Sequence, residues 1–381
     1  MLAAPVAALA LSLQLLLLAA AEGELIGLPG CPTMCGDVRL TPTGEALGEA
    51  NPFCLLKCYC SSSNSLSVPY PFGITPECSL PGFNLTCDTS RGTPPRLSLG
   101  GDGTLRVTNI SLDNATVRVH GPAVEIDVPM IFFANGGNGT WGGQAWSLSR
   151  GGTYILSAAD NELIITGCNL FVELLVTGEP WVISSCATVC GSSCSRNPDQ
   201  PVRNSRRGCN KCSGIGCCQT PVTTAATSYD VRLMFLNNMP SFCPFQDRSS
   251  LSVFIAEEGW FDGNYSASNY TAVLAAERST TVPAVLAWAI RSSVLQGPNK
   301  TLDGNATCPG DIGSTIFHSR YSSCTSIHPS YNINKISGYT CKCWDGYEGN
   351  PYLPDGCQGK YCLIVLPLVT NNLDKINGSN L

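Results

Sequence analysis

Three cysteines fall within seven positions in the stretch NPFCLLKCYC, at Cys54, Cys58 and Cys60. Thiols so spaced could hold a metal, cycle between redox states or supply a disulfide frame. A structural zinc site takes four ligands, often including histidine. The chain has three histidines, His120, His318 and His328, all distant in sequence from this stretch. A redox pair is usually C-x-x-C, which the stretch lacks. Acyl transfer needs a nucleophile with an activating base, and no histidine accompanies a G-x-S-x-G turn. Glu257 and Glu258 are adjacent carboxylates, but neighbours on a strand point to opposite faces. They read as a turn after a strand at 251–256. The glycine-rich run ANGGNGTWGG (134–143) lacks G-K-[ST] and a following helix, so it reads as a mobile surface loop rather than a phosphate cradle. Neither a kinase glycine loop with its lysine nor H-R-D is present. The chain reads as non-catalytic, with no cofactor and no metal site.

The elements that position these residues are bounded by composition. The chain has 381 residues, 22 of them cysteine, 13% charged and a net charge of −6. Without a basic excess, general nucleic-acid binding is disfavoured. So many cysteines imply disulfides in an oxidising compartment. Residues 2–21 form an apolar run ending in small residues, which fits a signal peptide cut near Ala21 or Gly23. Sequons at Asn84, Asn109, Asn114, Asn138, Asn264, Asn269, Asn299, Asn305 and Asn377 fit a secreted glycoprotein. The longest later apolar run, CLIVLPLV (362–369), is too short to span a bilayer, so no membrane span is expected after cleavage.

The middle of the chain reads as β structure. TLRVT, TVRVH and VEIDV alternate apolar and polar residues between 104 and 128. TYILSAADNELIITGC reads as a hairpin turning at Asp160–Asn161. FVELLV (171–176), VRLMFL (231–236) and LSVFIA (251–256) are further strands, whereas TAVLAAERS and PAVLAWAIRS hint at helix, split by Pro283. The expected class is all-β and disulfide-rich, with β-sandwich-like modules at 22–155 and 156–300 and a small module at 304–357. That last segment ends CKCWDGYEGNPYLPDGC, which resembles an epidermal-growth-factor-like repeat. Its C-x-C lets two bridges leave one short strand and staple a module too small for a core.

Five stretches in order carry a more specific resemblance. CPTMCGDV (31–38) and SVPYPFGITPECSLPGFNLTC (67–87) resemble the galacturonan-binding module of plant wall-associated receptor kinases. GIGCCQTPV (214–222) and FIAEEGWF (254–261) resemble the region that follows it, and GYEGNPYLPDGCQ (346–358) resembles the family's first growth-factor-like repeat. The set looks closest to the grass members. The resemblance implies bridges Cys308–Cys324 and Cys343–Cys357, and leaves Cys341 without its usual partner because Phe317 stands where a cysteine belongs. Two segments depart from the family. Residues 39–66, which hold Cys54, Cys58 and Cys60, separate two halves of one motif, and 358–381 replaces the family's continuation. Gly359-Lys360-Tyr361 can be encoded by an intron donor sequence, so the tail could be translated intron; residues 39–66 read as an intruding segment, with a genuine extra loop as the alternative.

The family implies an acidic wall polysaccharide, pectin or polygalacturonic acid, as ligand. A carboxylate on every sugar suits arginine, whose planar fork bonds it twice. The first module offers Arg91, Arg96, Arg106 and Arg118; a second cluster is Arg196, Arg203, Arg206, Arg207 and Lys211. Tyr70 and Phe72 could stack on sugars, but a Pro-flanked turn in the core suits them better. Calcium enters only as a bridge between ligand and protein carboxylates. The expectation is a non-catalytic, extracellular pectin-binding ectodomain in the cell wall, whose full-length relatives are anchored in the plasma membrane. Its alternatives are a receptor for an apoplastic protein or peptide and a structural wall glycoprotein.

Overall fold

Alternation of buried and open positions along the chain produces strands wherever one sheet face is wet. The computed structural model describes residues 26–35, 66–90, 95–100, 103–124, 126–127, 136–146, 148–149, 152–167, 169–189, 212, 214, 217–236, 252–261, 281–291, 319–327 and 338–359. In chain order the strands are β1 (Met34–Cys35), β2 (Leu66–Ser67), β3 (Leu85–Asp88), β4 (Arg96–Leu99), β5 (Leu105–Ser111), β6 (Thr116–Pro122), β7 (Ile126–Asp127), β8 (Gly136–Gly142), β9 (Tyr154–Leu156) and β10 (Asn161–Thr166). They continue as β11 (Leu170–Val176), β12 (Val182–Thr188), β13 (Cys217–Pro221), β14 (Ser228–Phe235), β15 (Ser252–Glu257), β16 (Thr281–Trp288), β17 (Ser322–Ile327), β18 (Gly338–Cys343), β19 (Tyr347–Gly349) and β20 (Cys357–Gly359). The three larger sheets run β3-β4-β5-β6-β16-β9, β12-β11-β14-β8-β7 and β13-β10-β15. Their inward side chains, among them Leu105, Val119, Val172, Val231, Leu163 and Ile255, form one buried cluster. The all-β, disulfide-rich class is therefore the observed one.

Sequence and structure part company at three strands. The hairpin expected at Asp160–Asn161 does not form: β9 pairs with β16, whereas β10 pairs with β13 and β15. Asn161 makes the separation. Its buried amide donates to the carbonyls of Ser157 and Val285 and accepts from the Val285 N–H, so it bonds to β16 as a strand would. The helix hinted at over PAVLAWAIRS is instead β16, buried almost throughout. Pro283 is tolerated because Val285, two residues on, turns its N–H and carbonyl toward Asn161 and Ser157, away from β6. Pro283 presents its nitrogen on that same side, before the pairing with β9 begins at Leu286. Finally, part of the expected loop at 134–143 is β8, paired with β14. Its glycines permit this: a Cβ on Gly136 would overlap the carbonyl of Leu233, and one on Gly142 that of Thr227.

The expected boundary at 155/156 is crossed by hydrogen bonds. β16 completes the sheet of β3–β6, and β8 pairs with β14. The described part of the 304–357 segment, residues 319–327 and 338–357, also joins the common core. The Asn350 amide donates to the carbonyls of Tyr70 and Ile26 at 2.7 and 3.0 Å, and Tyr352 packs on Trp288.

Six disulfides lie among the described residues: Cys31–Cys78, Cys35–Cys87, Cys186–Cys218, Cys212–Cys217, Cys324–Cys341 and Cys343–Cys357. The expected Cys343–Cys357 bridge is present. The expected Cys308–Cys324 bridge is replaced, because Cys324 sits directly opposite Cys341 in the β17–β18 hairpin and bonds to it. Cys341 therefore has a partner after all, and Cys308 lies outside the described residues.

Candidate functional site

Strand parity turns three arginines outward on one sheet. In β4, Leu97 and Leu99 are buried; in β5, Leu105 and Val107; in β6, Val117 and Val119. Arg96, Arg106 and Arg118 occupy the intervening positions and so face away from the core. Ser98, Arg106 and His120 form one cross-strand row. Arg96 and Arg118 each lie two residues farther along on the same side of that row, flanking the β5 irregularity between Val107 and Asn109. With strands about 4.8 Å apart, Arg106 stands roughly 8 Å from each of the others at the backbone, and those two are about 10 Å apart. The result is a triangle of arginine positions on three neighbouring strands.

The three cations differ in freedom. Arg96 and Arg106 are exposed and make no ion pair among the described residues. Arg118 is half-buried, and its Nε donates to Glu257 Oε2 at 2.6 Å. Its Nη1 donates to Thr108 Oγ1 at 3.3 Å and lies 3.4 Å from His120 Nε2. Glu257, at the end of β15, is thus a counter-charge to this face rather than half of an acid–base pair. Partial burial pushes the His120 imidazole below its usual pKa, Arg118 and Arg106 lower it further, and Glu257 opposes them. His120 therefore resists adding a fourth positive charge to the face.

A second feature lies on the five-stranded sheet. A groove of about 850 Å³ runs along β7, β8 and β14, lined by Ile126, Asn138, Thr140, Asp230 and Arg232 among others. Arg232 escaped the sequence reading because it sits alone in an apolar run beside Asp230. Within the groove Asp230 already accepts a hydrogen bond from Thr177 Oγ1 at 2.9 Å.

Of the remaining sequence candidates, Arg91, Arg196, Arg203, Arg206, Arg207 and Lys211 lie outside the described residues. The same holds for Asn264, Asn269, Asn299 and Asn305. Asn84, Asn109, Asn114 and Asn138 are all exposed, and Asn109 lies directly opposite Arg118. Tyr70 and Phe72 are core residues, Phe72 meeting Phe83 and Trp288 edge-on. Neither can stack on a sugar without unfolding the turn. Among the described residues no three His, Cys, Asp or Glu side chains group as a metal site, and no helix is long and apolar enough to cross a membrane.

Comparison with known proteins bears on this face. A family model described as wall-associated receptor kinase galacturonan-binding matches residues 54–121, which include all three arginines. The chain is 28% identical to wall-associated receptor kinase 2 of Arabidopsis thaliana over 322 residues, 82% of this chain and 35% of that protein. It is 29% identical to wall-associated receptor kinase 3 of the same plant over 318 residues, 80% of this chain and 35% of that protein. Wall-associated receptor kinase 4 is 27% identical over 329 residues, 85% of this chain and 37% of the relative. The chain thus spans about a third of the length of these curated relatives. No solved structure matches it significantly.

Proposed function

We infer that this chain, a relative of the wall-associated receptor kinases in their extracellular part, binds acidic wall polysaccharide through the outer face of β4, β5 and β6. The observation that carries the reading is the convergence of Arg96, Arg106 and Arg118 on that face, inside the segment matched by the galacturonan-binding model. A polyuronate presents one carboxylate per sugar along a stiff chain. Each exposed ion pair contributes only about 0.2–1 kcal/mol, so a single sugar acid binds weakly. A polymer engages several arginines at once and rebinds before it diffuses away. Exposed charges are screened beyond roughly 8–10 Å at physiological ionic strength, so binding is salt-sensitive.

In this reading the chain is extracellular, carries glycans at its exposed sequons and contributes recognition rather than catalysis. The kinase activity named for its relatives belongs to parts of those proteins beyond the matched third. The test is retention of the purified protein on immobilised polygalacturonate at low salt. Retention that salt reverses supports the reading; passage straight through at low salt sinks it. Capture of a defined apoplastic protein with no polysaccharide retention would favour a protein ligand instead.

A further inference from the structure

The β17–β18 hairpin carries a group of aromatic rings that its own core does not use. Cys324–Cys341 staples the hairpin internally. Just beyond the last paired residues, the Trp344 N–H donates to the Tyr321 carbonyl at 2.9 Å, and the Tyr347 N–H donates to the Trp344 carbonyl at 2.9 Å. These backbone bonds bring three rings together. Tyr321 and Tyr347 stack at 4.5 Å with their planes 19° apart. Trp344 stands nearly perpendicular to both, at 72° and 89°. Trp344 is nevertheless 48% exposed and Tyr321 36%. The other tryptophans in the core, Trp141, Trp146 and Trp288, are almost fully buried. A fixed, solvent-facing aromatic group on an otherwise well-packed β protein marks a contact surface.

The neighbouring charge selects the occupant. Ser322 pairs with Cys343 and Ser323 with Lys342, so the ladder places Tyr321 opposite Trp344 as its next pair. Lys342 is two residues before Trp344 and exposed, so strand parity puts the ammonium and the indole on the same face of the hairpin. Aromatic faces are electron-rich, and the C–H groups on one side of a pyranose ring are weakly positive. A pyranose bearing a carboxylate matches both features at once: its C–H face covers the indole while its carboxylate reaches the ammonium. A neutral sugar leaves Lys342 unused, and a small free anion leaves the rings unused.

We propose that Tyr321, Trp344, Tyr347 and Lys342 form a second carbohydrate contact, which takes one uronic-acid ring of an acidic wall polysaccharide. The proposal rests on the reading that the chain takes acidic polysaccharide, but it uses different residues from the arginine face. Two contacts on one chain let a polymer bridge them, with the gain in occupancy that tethering brings.

Hydroxyl-radical footprinting with mass spectrometry of the whole protein separates the two sites. Trp181 is 46% exposed and serves as an internal control for Trp344. Soluble oligogalacturonate should slow oxidation of Trp344 and leave that of Trp181 unchanged. The protection should persist in the Arg96→Ala/Arg106→Ala/Arg118→Ala variant, which disables the sheet face alone. Lys342→Ala should raise the half-protecting concentration about two- to five-fold, the size of one exposed ion pair. The proposal is overturned if Trp344 is not protected, or if Trp181 is protected equally. It is also overturned if an uncharged galactan protects Trp344 as well as oligogalacturonate does and Lys342→Ala changes nothing. Loss of column retention in the arginine variant with no effect at Trp344 would leave the sheet face standing and remove this second contact.

Discussion

Asn161→Ala should be among the most destabilising single substitutions outside the aromatic core. The side chain is 2% exposed and makes three hydrogen bonds, at 2.6 Å to Ser157 O, 2.8 Å to Val285 O and 2.9 Å from Val285 N–H. Removing it orphans the Val285 N–H and the Ser157 carbonyl, while Val285 O keeps the Ser157 N–H at 3.0 Å. Each orphaned buried group costs about 1–3 kcal/mol, so about 3–4 kcal/mol is expected after partial relaxation. A chain of this size has an unfolding entropy near 0.8 kcal/mol/K, so the midpoint should fall about 4–5 °C. Asn161→Asp tests the same geometry differently, because its oxygen can still accept from Val285 while a carboxylate faces two carbonyls. It should also destabilise, and most strongly at neutral pH. Calorimetry or thermal circular dichroism of the two variants gives the answer. If Asn161→Ala shifts the midpoint no more than an exposed control such as Asn114→Ala, the amide does not stand in for a strand.

Three further outcomes follow from the same geometry. Asn109→Gln, which abolishes a sequon opposite Arg118, should strengthen polygalacturonate binding by plant-expressed protein and leave unglycosylated protein unchanged. The folded-state pKa of His120 is depressed, so the unfolded chain takes up this proton first as pH falls below about 6.5. The associated stability is present above that pH and lost as pH drops through the lower folded pKa; His120→Gln should flatten this loss in denaturant titrations across pH 7 to 4. Deleting residues 39–66 leaves Gly36 and Asp37 between Cys35 and Val38, with Val38 in the place of Leu66, which now faces Cys35. Replacing a 30-residue connection by a two-residue turn relieves up to about 2.4 kcal/mol of closure entropy, so secreted yield should rise. Collapse of secretion would instead assign Cys54, Cys58 and Cys60 to the disulfide frame.

The strands whose buried face can be read from the sequence are those with one wet face. β5, β6 and β14 alternate because their outward residues, such as Arg106, Arg118 and Arg232, meet solvent. β10 reads as a strand from its apolar run alone, without alternation, because it is buried on both sides. Leu163 and Ile165 join the main core, while Ile164 packs with Phe254 and Val282 in a second cluster. β16 was misread for the same reason, since a run buried on both faces has no period to separate strand from helix. The outward direction of Arg96, Arg106 and Arg118 could be inferred from their apolar flanks. Their lateral arrangement depends on the β4–β5–β6 register and on the irregularity after Val107, which no local pattern encodes. The Arg118–Glu257 pair spans 139 positions, and its partners meet only because β15 and β16 fold back against the first sheet.

The most direct test is an equilibrium titration of soluble polygalacturonate into wild-type protein and the Arg96→Ala/Arg106→Ala/Arg118→Ala variant over a series of salt concentrations. Three exposed pairs at about 0.2–1 kcal/mol each predict a roughly three- to 150-fold weaker variant at low salt. The wild-type affinity should fall as salt rises, and that of the variant should fall much less. Equal affinity and equal salt dependence in the two proteins, both folded, would contradict the assignment of the arginine face as the polysaccharide site.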